Sequence, residues 1–245
     1  MKALGIDIGG SALKGAPVDT QTGRILAEPF RISTPQQLNP QEMGEAISRL
    51  AAHFGWRGPI GVGFPGVVHG SVIQTSANLH PAFVGLDVGP LFQNITGQKV
   101  VLANDADAAG LAEATFGAGR GVRGTVLLLT FGTGVGSALF IDGKLYPNSE
   151  LGHLKHEGES WEKFISGAAK ERRALSYQDW AHEVGIYLRE LENILWPELI
   201  IAGGGISADH DKWFPHLNIR TKIVPAQFFN GAGIVGAALY ATQAQ

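Results

Sequence analysis

The sequence predicts an α/β protein of two lobes, and three observations carry this. Strands alternate with helices along the chain. A glycine-rich turn between two apolar strands lies at its start, in Ile6-Asp7-Ile8-Gly9-Gly10-Ser11, followed by Lys14-Gly15. A related turn recurs in mid-chain, in Leu129-Thr130-Phe131-Gly132-Thr133-Gly134-Val135-Gly136-Ser137, so the second half restarts the pattern of the first. The predicted lobes are residues 1–115 and 116–245, with the option that the C-terminal helix packs back on the first.

The elements follow in order. Residues 3–9 and 12–18 read as strands around the first turn, with 24–30 as a third. Asn39-Pro40 opens a helix, since proline is tolerated in a first turn. Its apolar stripe is Met43, Ile47, Leu50, Ala51 and Phe54. Ile60–Phe64 is a short buried strand ending at Pro65-Gly66. An amphipathic segment around Leu91, Phe92 and Ile95 ends at Gly97, and 99–103 is another buried strand. The chain then turns from strand to helix at Asn104-Asp105, with the helix over 106–116. Residues 125–130 and 137–141 pair across the second turn, and Asp142-Gly143 signals a further hairpin. Residues 177–196 form a long helix stopped by Pro197. A strand over 198–202 runs into Gly203-Gly204-Gly205, and 230–242 is a closing helix of small residues.

Composition narrows the function classes. The 245 residues are 44% hydrophobic and 17% charged, as in an ordinary globular protein. The 34 glycines cluster at strand ends, which favours tight turns and close backbone approach to a ligand over a flexible linker. A net charge of −3 gives no global field to recruit nucleic acid or an anionic membrane. The absence of cysteine excludes disulfides, thiolate zinc and cysteine nucleophiles. No basic-then-apolar leader precedes the first strand and no apolar run is long enough to span a bilayer, so a cytoplasmic protein is expected.

Four groups of residues could carry chemistry. At the first turn, Gly9 and Gly10 allow an anion to reach backbone N–H groups, Ser11 adds a hydroxyl and Lys14 a charge. Asp7 cannot bind phosphate directly and is better suited to orienting water on Mg²⁺. The second turn offers the hydroxyls of Thr130 and Thr133 with the amides of Gly132, Gly134 and Gly136. Each turn alone could be a structural hairpin; two of them suggest lobes closing on one chain of phosphates. Asn104-Asp105 stands at a strand's carboxyl end, where ligands of open α/β sheets gather. Asp105 could take a proton from an attacking hydroxyl or simply cap the helix. Glu150-Leu151-Gly152-His153 pairs an acceptor with a group that both donates and accepts, as polyol recognition requires. With His156 and Glu157 it could pass for a metal cluster, but the order matches neither common zinc-peptidase helix motif.

Taken together, these motifs resemble the ROK family of sugar kinases and repressors, through the 7–14 turn, Asn104-Asp105, the 130–136 turn, Glu150-x-Gly-His153 and Gly203-Gly204-Gly205. The resemblance spans residue 4 to about 238. It is nearest the branch that phosphorylates glucose from polyphosphate, through 55–59, 65–68, 104–113, 128–137, 201–207 and 211–213; Ser11 in place of the commoner threonine fits that branch. The resemblance implies the actin/hexokinase-like (ribonuclease H-like) fold with duplicated mixed sheets. It implies that Asp105 is the general base for the glucose 6-hydroxyl, and that Asn78, Asn104, Glu150, His153 and Glu162 are sugar ligands. Gly203, Gly204 and Gly205 become donor-binding. Many ATP-dependent members carry a cysteine-rich zinc motif that this chain lacks, so no zinc is expected. Mg²⁺ accompanies the donor, which is inorganic polyphosphate, ATP or both, and a homodimer is implied.

A polyphosphate track needs cations beyond one triphosphate site. Arg120 and Arg123 are the candidates nearest in sequence to the second turn, with Lys170, Arg172 and Arg173 a further cluster and Arg220 and Lys222 beyond; ordinary surface charge is the alternative. ATP dependence would instead need an adenine pocket near 203–205. A sugar-sensing repressor of the same fold would need an N-terminal helix-turn-helix, for which the first strand leaves no room.

Overall fold

The computed structural model describes residues 1–34, 38–76 and 79–243. In chain order the strands and helices are β1 (Lys2–Gly9), β2 (Ala12–Asp19), β3 (Arg24–Ile25), β4 (Phe30–Ser33), α1 (Pro40–His53), β5 (Ile60–Phe64), β6 (Val68–His69), β7 (Val72–Ile73), α2 (Val88–Thr96), β8 (Val100–Asn104) and α3 (Asp105–Thr115). There follow β9 (Thr125–Phe131), β10 (Val135–Ile141), β11 (Lys144–Tyr146), β12 (Lys155–His156), β13 (Glu159–Ser160), α4 (Glu162–Ile165), α5 (Gly167–Arg172), α6 (Tyr177–Leu195), β14 (Leu199–Gly203), α7 (His210–Trp213), β15 (Ile223–Pro225) and α8 (Ala232–Gln243). The chain divides into two compact units, Met1–Ala112 with Gly231–Gln245, and Glu113–Asn230. The division falls inside α3, three residues before the expected 115/116 boundary, and α8 belongs to the first unit.

The first unit is built on a sheet of order β3-β2-β1-β5-β8, with β4 also pairing β2. β1 and β2 form an antiparallel hairpin; β1, β5 and β8 run parallel. The single strand expected over 24–30 is two short pieces, β3 and β4, both on β2. Alternation along β1 assigns its faces. Leu4, Ile6 and Ile8 join a core with Ile47 and Leu50 of α1 and Phe92 of α2. Gly5, with Gly61 of β5, meets the backbone of α8: a Cβ at either would strike the carbonyl of Ile234 or Ala237. α8 is therefore buried nearly all round by small residues, which is why it carries no amphipathic stripe. α1 begins with a capping box, the Asn39 side chain accepting from the Glu42 amide and Glu42 accepting from the Asn39 amide.

The second unit repeats the scheme. Its sheet has the order β11-β10-β9-β14-β15, again an antiparallel hairpin (β9–β10) beside parallel strands (β9, β14, β15). Leu127, Leu129 and Phe131 face a core of Trp161, Trp180, Tyr187, Leu188 and Trp213. Phe131 packs edge-on against both Trp180 and Trp213. Glu113 is fully buried and accepts from the amides of Ala118, Gln227 and Phe228, which ties together both ends of the unit and satisfies the buried carboxylate with hydrogen bonds. Trp196 ends α6 in the left-handed region (φ 47°), with the Arg220 guanidinium over its ring. Among the described residues no helix is long and apolar enough to cross a membrane.

Candidate active site

In the first unit the carboxyl ends of β1, β5 and β8 share one edge of the sheet, and the sequence-predicted residues gather there. The first turn is a two-residue hairpin loop, Gly10-Ser11, closed by the pair Gly9 and Ala12. Gly9, Gly10 and Ser11 are exposed. A Cβ on Gly10 would meet nothing within 4 Å, so its glycine answers no packing need of the protein. Asp7 pairs in register with half-buried Lys14 across the hairpin and with Gly63 of β5. Its carboxylate lies against Gly233 of α8, where a Cβ would come within 2.8 Å of Cγ. Burial raises the Asp7 carboxyl above the ordinary aspartate range, with Lys14 opposing the shift.

At the end of β8, Asn104 rather than Asp105 caps α3. The buried Asn104 side chain accepts from the Asp107 amide (3.0 Å) and donates to the Gly66 carbonyl (3.1 Å). Asp105 is half-buried in the first helical turn, one carboxylate oxygen accepting from the Ala106 amide (2.8 Å). Its Cα stands 3.5 Å from where a Gly63 Cβ would be, so Gly63 lies between β1 Asp7 and Asp105. The cap that the sequence reading left open for Asp105 is thus supplied by its neighbour. Asn78 lies outside the described residues.

In the second unit the turn Gly132-Thr133-Gly134 is one residue longer, closed by Phe131 and Val135. The Gly132 carbonyl accepts from the Ala168 amide at the start of α5 (3.0 Å). Gly203 pairs with Thr130, and Gly204 (φ +81°) lies against the Phe131 backbone, so residues 203–205 stand beside the turn at the carboxyl edge of this sheet. Gly136 pairs with half-buried Thr130 across the hairpin, while Thr133 is exposed.

The structure brings Glu150, His153 and Glu162 together at this turn. His153 Nδ1 is 3.8 Å from Glu150 Oε2, and its Nε2 is 3.7 Å from Glu162 Oε1. Glu162 Oε2 in turn accepts from the Val135 amide (3.4 Å) and sits 2.5 Å from the place of a Gly134 Cβ. Burial raises the Glu150 carboxyl, His153 lowers it and Glu162 raises it further. Glu150 is held by a pair of serines that the sequence reading missed. Ser137 donates to the Ser149 carbonyl (2.6 Å) and accepts from the Leu151 amide (3.0 Å), while Ser149 donates to the Ser137 carbonyl (3.0 Å). A Ser at the last position of the glycine motif was the available signal; its partner twelve residues on had none. Among the described residues no group of three or more His, Cys, Asp or Glu could hold a metal ion.

Arg123 is not at this edge, contrary to its expected place beside the second turn. It precedes β9, and the six steps from Thr125 to Phe131 carry the chain about 20 Å across the sheet. Nearness in sequence to a strand's start is distance from its end.

Comparison with known proteins agrees with this architecture. The ROK family model matches residues 3–175. The chain belongs to the ROK family. Among ROK relatives, the polyphosphate glucokinase of Mycobacterium tuberculosis is 46% identical over 96% of this chain and 89% of its own length. That of Mycobacterium leprae is 43% identical over 98% of this chain and 75% of its own. The inorganic polyphosphate/ATP-glucomannokinase of Arthrobacter sp. strain KM superposes with a TM-score of 0.95 at 44% identity, covering 100% of this chain and 99% of that one. A ROK family glucokinase from Streptomyces griseus shares the fold, with a TM-score of 0.85 at 24% identity over 99% of this chain and 100% of that one. The actin/hexokinase-like fold expected from the motifs is thus the fold of the chain.

Proposed function

We propose that this chain is a polyphosphate glucokinase: it transfers a phosphoryl group from inorganic polyphosphate to the 6-hydroxyl of glucose, giving glucose 6-phosphate. The observation that carries the reading is 46% identity over nearly the whole chain with an enzyme of that name. The likeness to the Arthrobacter enzyme favours ATP as a second donor and mannose as a second acceptor.

Phosphoryl transfer demands positioning and charge neutralisation more than covalent chemistry. Asp105 accepts the proton of the 6-hydroxyl, a role worth about 10²–10⁴-fold in rate. It suits the task because Asn104 supplies the cap of α3. Asn104 offers a further polar group to the sugar, and Asn78 belongs to the same set by family resemblance. Glu150 and Glu162 accept from sugar hydroxyls, with His153 placed by both. The amides of Gly9, Gly10 and Ser11 and of Gly132 and Gly134, with the Thr130 and Thr133 hydroxyls and Lys14, bind donor phosphates as preorganised dipoles and charge. Gly136 shapes the second turn, and Gly203, Gly204 and Gly205 flank the donor.

Mg²⁺ fits the donor set present. A lone Asp7 carboxylate, close to the first turn, matches an ion held mainly by phosphate oxygens and water instead of a protein cage. When bound, Mg²⁺ supplies positive charge to the phosphate oxygens. Family resemblance adds a homodimer and a cytoplasmic location.

Initial rates with purified polyphosphate and with ATP, each over a range of glucose and mannose, test the reading. Glucose-dependent consumption of polyphosphate is expected. Consumption of neither donor overturns the kinase reading, and use of ATP alone overturns the choice of polyphosphate.

A further inference from the structure

The polarity of the second sheet sorts the cations of this unit into two groups. β9, β14 and β15 run parallel. Arg123 precedes β9 and Lys222 precedes β15, so both lie at the amino edge, away from the turn at Gly132. At the carboxyl edge stand Lys170 of α5 and Lys212 of α7. α5 starts on the turn itself, through the Ala168 amide on the Gly132 carbonyl, and Lys170 follows two residues later, about 3 Å along the helix axis. The 3-10 helix Gly205–Asp209 leads from the glycine run to α7.

These cations are not equally occupied. Lys212 is bound to Asp209 at 2.6 Å, and the Tyr177 hydroxyl donates to the other oxygen of Asp209 at 2.8 Å. Arg172 donates to the Lys163 carbonyl, which orients it without neutralising it, and Arg173 grips Glu183 with both terminal nitrogens, which removes Arg173 from the Lys170, Arg172 and Arg173 cluster. Lys170 Nζ lies 4.1 Å from the centre of the Tyr177 ring and, among the described residues, enters no ion pair. A cation held over an aromatic face keeps its charge for a further anion, because the ring orients the ammonium without neutralising it.

Given the polyphosphate kinase reading, on which this assignment rests, we infer that Lys170 is a donor-binding residue. Its ammonium contacts a donor phosphate beyond the one transferred, and Tyr177, fixed by Asp209, sets its position. Arg123 takes no part in this contact.

Lys170→Met keeps the stem against Tyr177 and removes the charge. Loss of one charge-assisted contact raises the donor KM about tenfold. The expected result is that rise with long-chain polyphosphate, a glucose KM within about twofold of wild type, a weaker dependence of donor KM on salt, and recovery in Lys170→Arg. A rise with polyphosphate alone places the contact beyond the third phosphate, and a rise with ATP as well places it among the first three. Donor KM values unchanged for both, or a rise in Arg123→Met in place of Lys170→Met, overturns the assignment. Thermal shift with long-chain polyphosphate reads the same loss without turnover. Failure of the kinase reading itself is separate, since it shows as inactivity of the unmodified chain.

Discussion

The two glycine turns have the same frame and different surroundings. Each joins an antiparallel hairpin beside parallel strands, at the carboxyl edge of its sheet. The first is two residues long, and a Cβ on Gly10 would meet open space. The second is three residues long and is buttressed on three sides, by Glu162 at Gly134, by α5 at Gly132 and by Gly204 at Phe131. The first turn's glycine serves what comes from outside the protein. The second turn's glycines also serve contacts within it, one of them to a sugar-ligand candidate. A substitution in the first turn should therefore disturb the donor alone, whereas one in the second should reach the acceptor as well.

The largest expected effect bears on the proposed base. Asp105→Asn should lower turnover about 10²–10⁴-fold while leaving melting temperature and glucose binding near wild type, measured by steady-state kinetics, thermal melts and calorimetry. Near-normal turnover would remove Asp105 from the role of base. Gly134→Ala comes next. Its methyl would stand 2.5 Å from Glu162 Oε2, so the carboxylate must move. Loss of one such hydrogen bond to a charged group predicts a glucose KM raised about tenfold, together with a raised donor KM. A donor effect alone would dissolve the distinction between the turns.

Asp7→Asn separates stability from function. Burial raises the Asp7 carboxyl, so the folded state holds this proton more tightly than the unfolded chain does. The ionised group therefore costs stability above its folded value, and the cost is relieved as pH falls through that value toward the ordinary aspartate range. Asp7→Asn should raise the melting temperature at neutral pH and weaken this part of the pH dependence, while impairing donor use. A lower melting temperature at neutral pH would contradict the desolvation account. The smallest effect is that of Gly10→Ala, with stability within about 0.5 kcal/mol of wild type, an unchanged glucose KM and a raised donor KM.

Much of this was legible in the sequence, for local reasons. Asn39-Pro40 started α1 as expected, and short apolar runs beside glycine or proline turns placed β1, β5 and β9. Asn104-Asp105 was legible as a strand-to-helix switch, but which side chain capped the helix was not, since both residue types can do so. The Ser137–Ser149 pair and the Glu113 carboxylate depend on groups twelve and more than a hundred residues away. Arg123 misled because sequence proximity ignores the direction of the strand that follows. Lys170, which among the described residues enters no ion pair, was hidden beside Arg173, whose charge is used on Glu183.

The central claim is that this chain moves phosphate from polyphosphate onto glucose. Phosphorus NMR of purified polyphosphate, Mg²⁺ and glucose with the purified chain tests it most directly. The predicted result is a glucose 6-phosphate signal growing as polyphosphate signals fall, with neither change when glucose is omitted or Asp105→Asn is used. Release of orthophosphate without sugar phosphate, or no change in polyphosphate at all, would contradict it.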